Sequence, residues 1–167
     1  MSKGKIIAAG CCVAILVLML MIGSTPKTIE QFIDYYNKEI KNTAGTRNLI
    51  VSDLTLNNVT YNPYRDAKVK ELLGGDMLFA GYDHASSIYV IICFNESVSA
   101  EKIFAVIEAA ILASGEDYDK VAKSLGILTG TKYHINGGDN KETAFNKKTY
   151  SLFWVEDAIT FTIDIPK

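Results

Sequence analysis

The apolar pattern predicts an α+β fold: a mostly antiparallel sheet of five or six strands with packed helices, preceded by one N-terminal membrane helix or signal segment. Three observations carry this expectation. Residues 6–22 form an unbroken uncharged run. Residues 29–40 and 103–111 place apolar side chains at helical spacing. Residues 77–94 and 150–165 alternate, or run apolar throughout, as strands do.

The first element is the N-terminal run. Lys3 and Lys5 precede Ile6–Ile22, and Gly23, Ser24, Thr25 and Pro26 end it. A positive start, an apolar stretch and a small polar exit are the parts of an export signal. Its 17 residues would span about 26 Å as a helix, close to the roughly 30 Å of a bilayer's hydrocarbon core. A cut after Ser24 would put Ile22 at the −3 position, and a cut after Thr25 would put Pro26 just beyond the bond. An uncleaved anchor is therefore favoured over a cleaved signal peptide. Lys3 and Lys5 hold the N-terminus in the cytoplasm under the positive-inside rule. Residues 1–24 are thus read as a signal anchor or signal peptide, and residues 25–167 as a single extracytoplasmic domain. The expected localisation is membrane-anchored or exported, with membrane contact through residues 6–22.

The remaining 143 residues are enough for a continuous core. Pro26, Thr28 and Gln31 mark the start of a first helix, whose Ile29, Phe32, Ile33, Tyr36 and Ile40 share a face. Residues 49–61 read as extended. Asn62-Pro63 then opens a short helix over Tyr64–Leu73, closed by Gly74-Gly75. Met77–Tyr82 and Ile88–Phe94 read as a hairpin, the second strand apolar on both faces and so covered on both. Ser97 or Ser99 caps a helix over residues 100–114, and Asp117 caps a shorter one ending at Gly126. Thr131–Asn136 reads as a strand, Gly137–Lys147 as a polar loop. Tyr150, Leu152 and Trp154, then Ile159, Phe161, Ile163 and Ile165, alternate as strands, with Thr160, Thr162 and Asp164 turned outward.

Charge and composition exclude some function classes. Residues 25–167 hold 15 Lys and Arg against 19 Asp and Glu, a charge of −4. Lys141, Lys147 and Lys148 read as a solvated loop rather than a basic patch, so nucleic acid is not an expected partner. Cys93 stands alone in the domain, so no disulfide forms within it. Neither a cofactor nor a metal is expected. Zinc needs about four Cys or His ligands, and the domain has Cys93, His84 and His134. Asp139, Asn140 and Glu142 lack the calcium-loop pattern. His84 reads as a solvated turn histidine and His134 as the polar side of a strand. A Cys93–His134 dyad is the remaining catalytic candidate, opposed by burial of Cys93 in an apolar strand. No Gly-x-Ser-x-Gly elbow and no phosphate loop occurs. Nine tyrosines are the compositional excess. Tyrosine supplies contact area at low entropy cost, and Tyr61, Tyr64 and Arg65 form the candidate binding stretch.

The leading expectation is a non-catalytic, membrane-tethered cell-envelope domain that binds a protein partner or small apolar ligand. The alternatives are a small envelope hydrolase and a structural subunit of an envelope assembly. The sequence assigns no oligomeric state.

Overall fold

The computed structural model describes residues 25–43, 47–52, 55–56, 67–129, 132–133, 140–155 and 157–167. The apolar run 6–22 therefore lies outside the described residues. Among the described residues no helix is long and apolar enough to cross a membrane.

The domain opens with helix α1 (Ile29–Lys41). Thr28 caps it by accepting from Gln31 N, while the Gln31 side chain accepts from Lys27 N at 2.9 Å. The reciprocal cap expected from the sequence thus forms one residue further out. Ile29, Phe32, Ile33, Tyr36 and Ile40 are its buried face. The segment beyond α1 is pinned back onto it. Asn37 donates to Val51 O at 2.7 Å and accepts from Val51 N at 2.8 Å, while Tyr36 OH donates to Leu49 O at 3.1 Å.

The strands are β1 (Thr55–Leu56), β2 (Lys68–Leu72), β3 (Met77–Asp83), β4 (Ser87–Asn95), β5 (Leu128–Thr129), β6 (Lys132–Tyr133), β7 (Lys141–Phe145), β8 (Lys148–Val155) and β9 (Ala158–Pro166). Between β4 and β5 lie α2 (Ala100–Ala113) and α3 (Tyr118–Ser124). One antiparallel sheet has the order β1-β2-β3-β4-β9-β8-β7, six full strands plus two-residue β1, and β5-β6 pair separately. The fold is α+β, as expected.

Register explains where the core sits. Phe79, Ile92, Phe161 and Leu152 are cross-strand neighbours in one row, all fully buried. The row Gly81, Val90, Ile163 and Tyr150 lies on the same face two residues along. α1 packs on this face, with the Phe32 and Tyr36 rings 6.3 and 5.8 Å from that of Phe79. α2 packs beside α1 and buries Ile103, Val106, Ile107 and Ala110. α1 comes close to the sheet at Gly81, where a Cβ would overlap Ile29 Cδ1 and Cγ1.

Four expectations are corrected. Lys68–Leu72, expected as helix, is strand β2, and Leu73–Gly75 forms a tight turn with positive φ at each residue. The glycines do end an element, but that element pairs with β3. Lys141–Phe145, expected as loop, is edge strand β7. It joins β8 through Asn146 and Lys147, whose φ values of 49° and 70° make a two-residue hairpin turn. Thr160 and Thr162, expected in water, are 5% and 4% exposed. They sit on central strand β9 on the face away from the helices, Thr160 facing Cys93 and Phe153, Thr162 facing Ile91 and Ser151, so the middle of that face is buried as well. Finally, Cys93 is only half-buried, since Ile88, Val90, Ile92 and Phe94 take the helix-covered face and Cys93 takes the other.

Candidate functional site

Among the described residues, helices α1, α2 and α3 bury apolar residues in one core with the Phe79–Leu152 face of the sheet. The opposite face carries Val69, Leu78, Ala80, Tyr82, Tyr89, Ile91 and Cys93 on β2, β3 and β4, then Thr160, Thr162 and Asp164 on β9, and Thr149, Ser151 and Phe153 on β8. Ala67, Ala80 and Tyr82 are buried there in a second apolar cluster with Val69, Tyr89 and Ile91 around them. No described helix packs on it. The Tyr82 ring stacks on His84 at 5.7 Å and meets Tyr89 at 6.2 Å. His84 is exposed in the β3–β4 turn, as expected, and lies at the opposite end of β4 from Cys93.

Tyr61, Tyr64 and Arg65, the binding stretch singled out from the sequence, lie outside the described residues, as do His134, Asp139 and Gly137-Gly138. The chain re-enters at Ala67, beside Tyr82 on the open face. Asn140 and Glu142 are exposed. Among the described residues no three His, Cys, Asp or Glu side chains gather to hold a metal ion. Cys93, Asp76, Asn95 and Asp157 line a cavity of about 300 Å³ at one end of the open face. The Thr160 hydroxyl donates to Cys93 Sγ at 3.6 Å, and no described histidine lines that cavity.

A buried polar cluster joins the α2–α3 connection to the β7–β8 hairpin. Lys148 Nζ donates to Glu116 Oε1 at 2.6 Å, and Asn146 Nδ2 donates to Glu116 Oε2 at 2.9 Å. Both charged side chains are 6% exposed. Nearby, the Ser114 hydroxyl donates to Ile111 O at 2.6 Å, which leaves its lone pairs to accept from Tyr150 OH at 2.8 Å. Burial pushes the Tyr150 phenol above its ordinary range, against the Ser114 bond and with a smaller push from Glu116. The phenol therefore stays protonated and acts as a donor. Lys148 is thus not the solvated loop residue expected. The sequence does hold a clue, because Lys148, Tyr150 and Leu152 share one strand face and a lysine on that inward face needs a partner.

Lys148 also lines a second cavity, of about 330 Å³, with Lys27, Asn146, Lys147, Pro166 and Lys167. Thr25 and Pro26 complete its wall. Lys167 is ion-paired with Asp83 and donates to His84 O at 2.6 Å. Lys27 and Lys147 are exposed and have no carboxylate partner among the described residues.

No family model, curated protein or solved structure matches the chain.

Proposed function

We propose that this chain is a non-catalytic domain of the cell envelope, tethered through residues 6–22, whose open sheet face binds a protein partner. The observation that carries the reading is the unequal treatment of the two sheet faces. One is sealed by α1, α2 and α3, and the other carries half-buried Leu78, Tyr89, Ile91 and Phe153 with no described helix over them. Half-exposed apolar side chains on a face that no described helix covers are candidates for contact with a partner. A broad pleated face suits a protein better than a small apolar ligand, which needs a concave pocket to bury most of its surface. Aromatic side chains enrich such interfaces, and half-buried Tyr89 and Phe153 supply them. The tether keeps the face near the membrane, where an envelope partner would be met.

The test is site-specific photo-crosslinking in intact cells that express the full chain. A photoreactive residue at Tyr89 or Phe153 should give one discrete adduct with another protein. The same residue at exposed Lys123, on α3, should give none. Absence of adducts at both sheet positions, with the protein folded and abundant, would overturn the reading.

A further inference from the structure

The cavity between the start of α1, the β7–β8 turn and the end of β9 has no part in the sheet-face reading, yet it gathers four lysines in a domain of net negative charge. We infer that this cavity is a membrane-proximal site for the phosphate of an anionic phospholipid headgroup. The inference rests on residues 6–22 being the membrane tether.

Three features lead to this ligand. The first is charge. Lys148 and Lys167 are neutralised by Glu116 and Asp83, whereas Lys27 and Lys147 face the cavity with no described acid beside them. Two ammonium groups with no carboxylate partner among the described residues remain on one concave surface, and each offers three donors to a phosphate oxygen. The second is built geometry. Lys147 is held at φ 70° by the tight hairpin turn. The turn is itself anchored through Asn146 and Lys148 to buried Glu116. The lysine backbone positions are therefore set by the fold rather than by a loose loop. A volume of about 330 Å³ sits at the lower end of the roughly 300–1,000 Å³ of ligand pockets, a fit for a headgroup rather than a large ligand.

The third feature is location. Thr25 is part of the cavity wall, and only Gly23 and Ser24 separate it from Ile22, the last residue of the apolar run. A chain covers at most about 3.6 Å per residue, so Thr25 lies within roughly 11 Å of the end of that run. That is close to the Debye length of about 8 Å at physiological salt. The lysines are thus held where a lipid phosphate is the most concentrated anion. A soluble phosphate compound shares the chemistry but not this placement.

The full chain is reconstituted into vesicles of phosphatidylcholine, with or without phosphatidylglycerol, and treated with a membrane-impermeant amine reagent. Modification is read by mass spectrometry at Lys27 and Lys147, with exposed Lys38 and Lys123 as references. Phosphatidylglycerol should slow modification at Lys27 and Lys147 by roughly five-fold relative to the references. High salt should reverse the effect. In a Lys27→Gln/Lys147→Gln variant the lipid-dependent protection of Lys167 should also disappear. Equal rates in the two lipids would overturn the inference while leaving the tether intact. So would equal protection by soluble glycerol phosphate in phosphatidylcholine vesicles, which would assign the site to a free anion. A chain removed from the vesicles by alkaline carbonate would overturn the tether, and this inference with it.

Discussion

Single residues decide how closely the layers of this domain approach. Gly81 is the clearest case. It lies mid-strand on β3, where glycine ordinarily weakens pairing, and its value here is the missing Cβ under Ile29. Ile29 is fully buried at the first position of α1, so its side chain has little room to move aside. Gly81→Ala should destabilise the domain by about 1–3 kcal/mol, as overpacking of a filled core does. Chemical denaturation of residues 25–167 in the context of the full chain would measure it. A neutral effect would mean that α1 can lift from the sheet, and pairing Gly81→Ala with Ile29→Val should then make no difference. If the clash is real, the smaller side chain should recover part of the loss. Thr160 and Thr162 teach the complementary lesson. Their polarity suggested water, but both are buried on the face away from the helices, Thr160 beside Cys93 and Phe153 and Thr162 beside Ile91 and Ser151.

At the scale of elements, the hairpin β7–β8 depends on a charge pair placed inside the protein. Removing one member of a buried pair leaves an uncompensated charge, which typically costs about 3–5 kcal/mol, whereas replacing both with apolar residues is often neutral. Glu116→Leu and Lys148→Met alone should each lower stability by about that amount, and the double variant should recover most of it. A double-variant cycle by denaturant titration checks this. Additive losses would show that Glu116 and Lys148 act separately, through Asn146 and through the apolar lysine stem. The same hairpin shows what the sequence could and could not reveal. The helices α1, α2 and α3 and the strands β3, β4, β8 and β9 were legible because their apolar residues repeat at 3.6 or 2 over many positions. Strand β7 was not, since Lys-Glu-Thr-Ala-Phe at a sheet edge needs little apolar surface and its Asn-Lys turn lacks the usual glycine. Strand β2 was missed because Lys68, Lys70 and Glu71 look helical until pairing with β3 is known. The open face was illegible for a different reason. Alternation in β4 is hidden when both faces are apolar, so Cys93 and Ile91 read as core although, among the described residues, helices meet the Val90 and Ile92 side.

For the molecule as a whole, the arrangement of its ends bears on orientation. Thr25 and Lys167 line the same cavity, so the first described residue and Lys167 lie at one pole of the domain. The β3–β4 turn joins them there, through the pairing of Lys167 with Asp83 and His84. With residues 6–22 as the proposed tether, a reporter fused after Lys167 is expected to emerge close to the membrane. This makes orientation testable with little risk to the fold. Under the proposed topology, Lys3 and Lys5 stay in the cytoplasm and the domain is carried across. An alkaline phosphatase fused after Lys167 should then be active, since it needs an oxidising compartment to form its disulfides. A fluorescent protein that matures only in the cytoplasm should be dark at the same position. Protease added to intact cells with a sealed outer barrier should spare residues 25–167 and degrade them once the barrier is opened. The reverse pattern, a bright fluorescent fusion and an inactive phosphatase, would place the domain in the cytoplasm. Any partner of the open face would then have to be sought there.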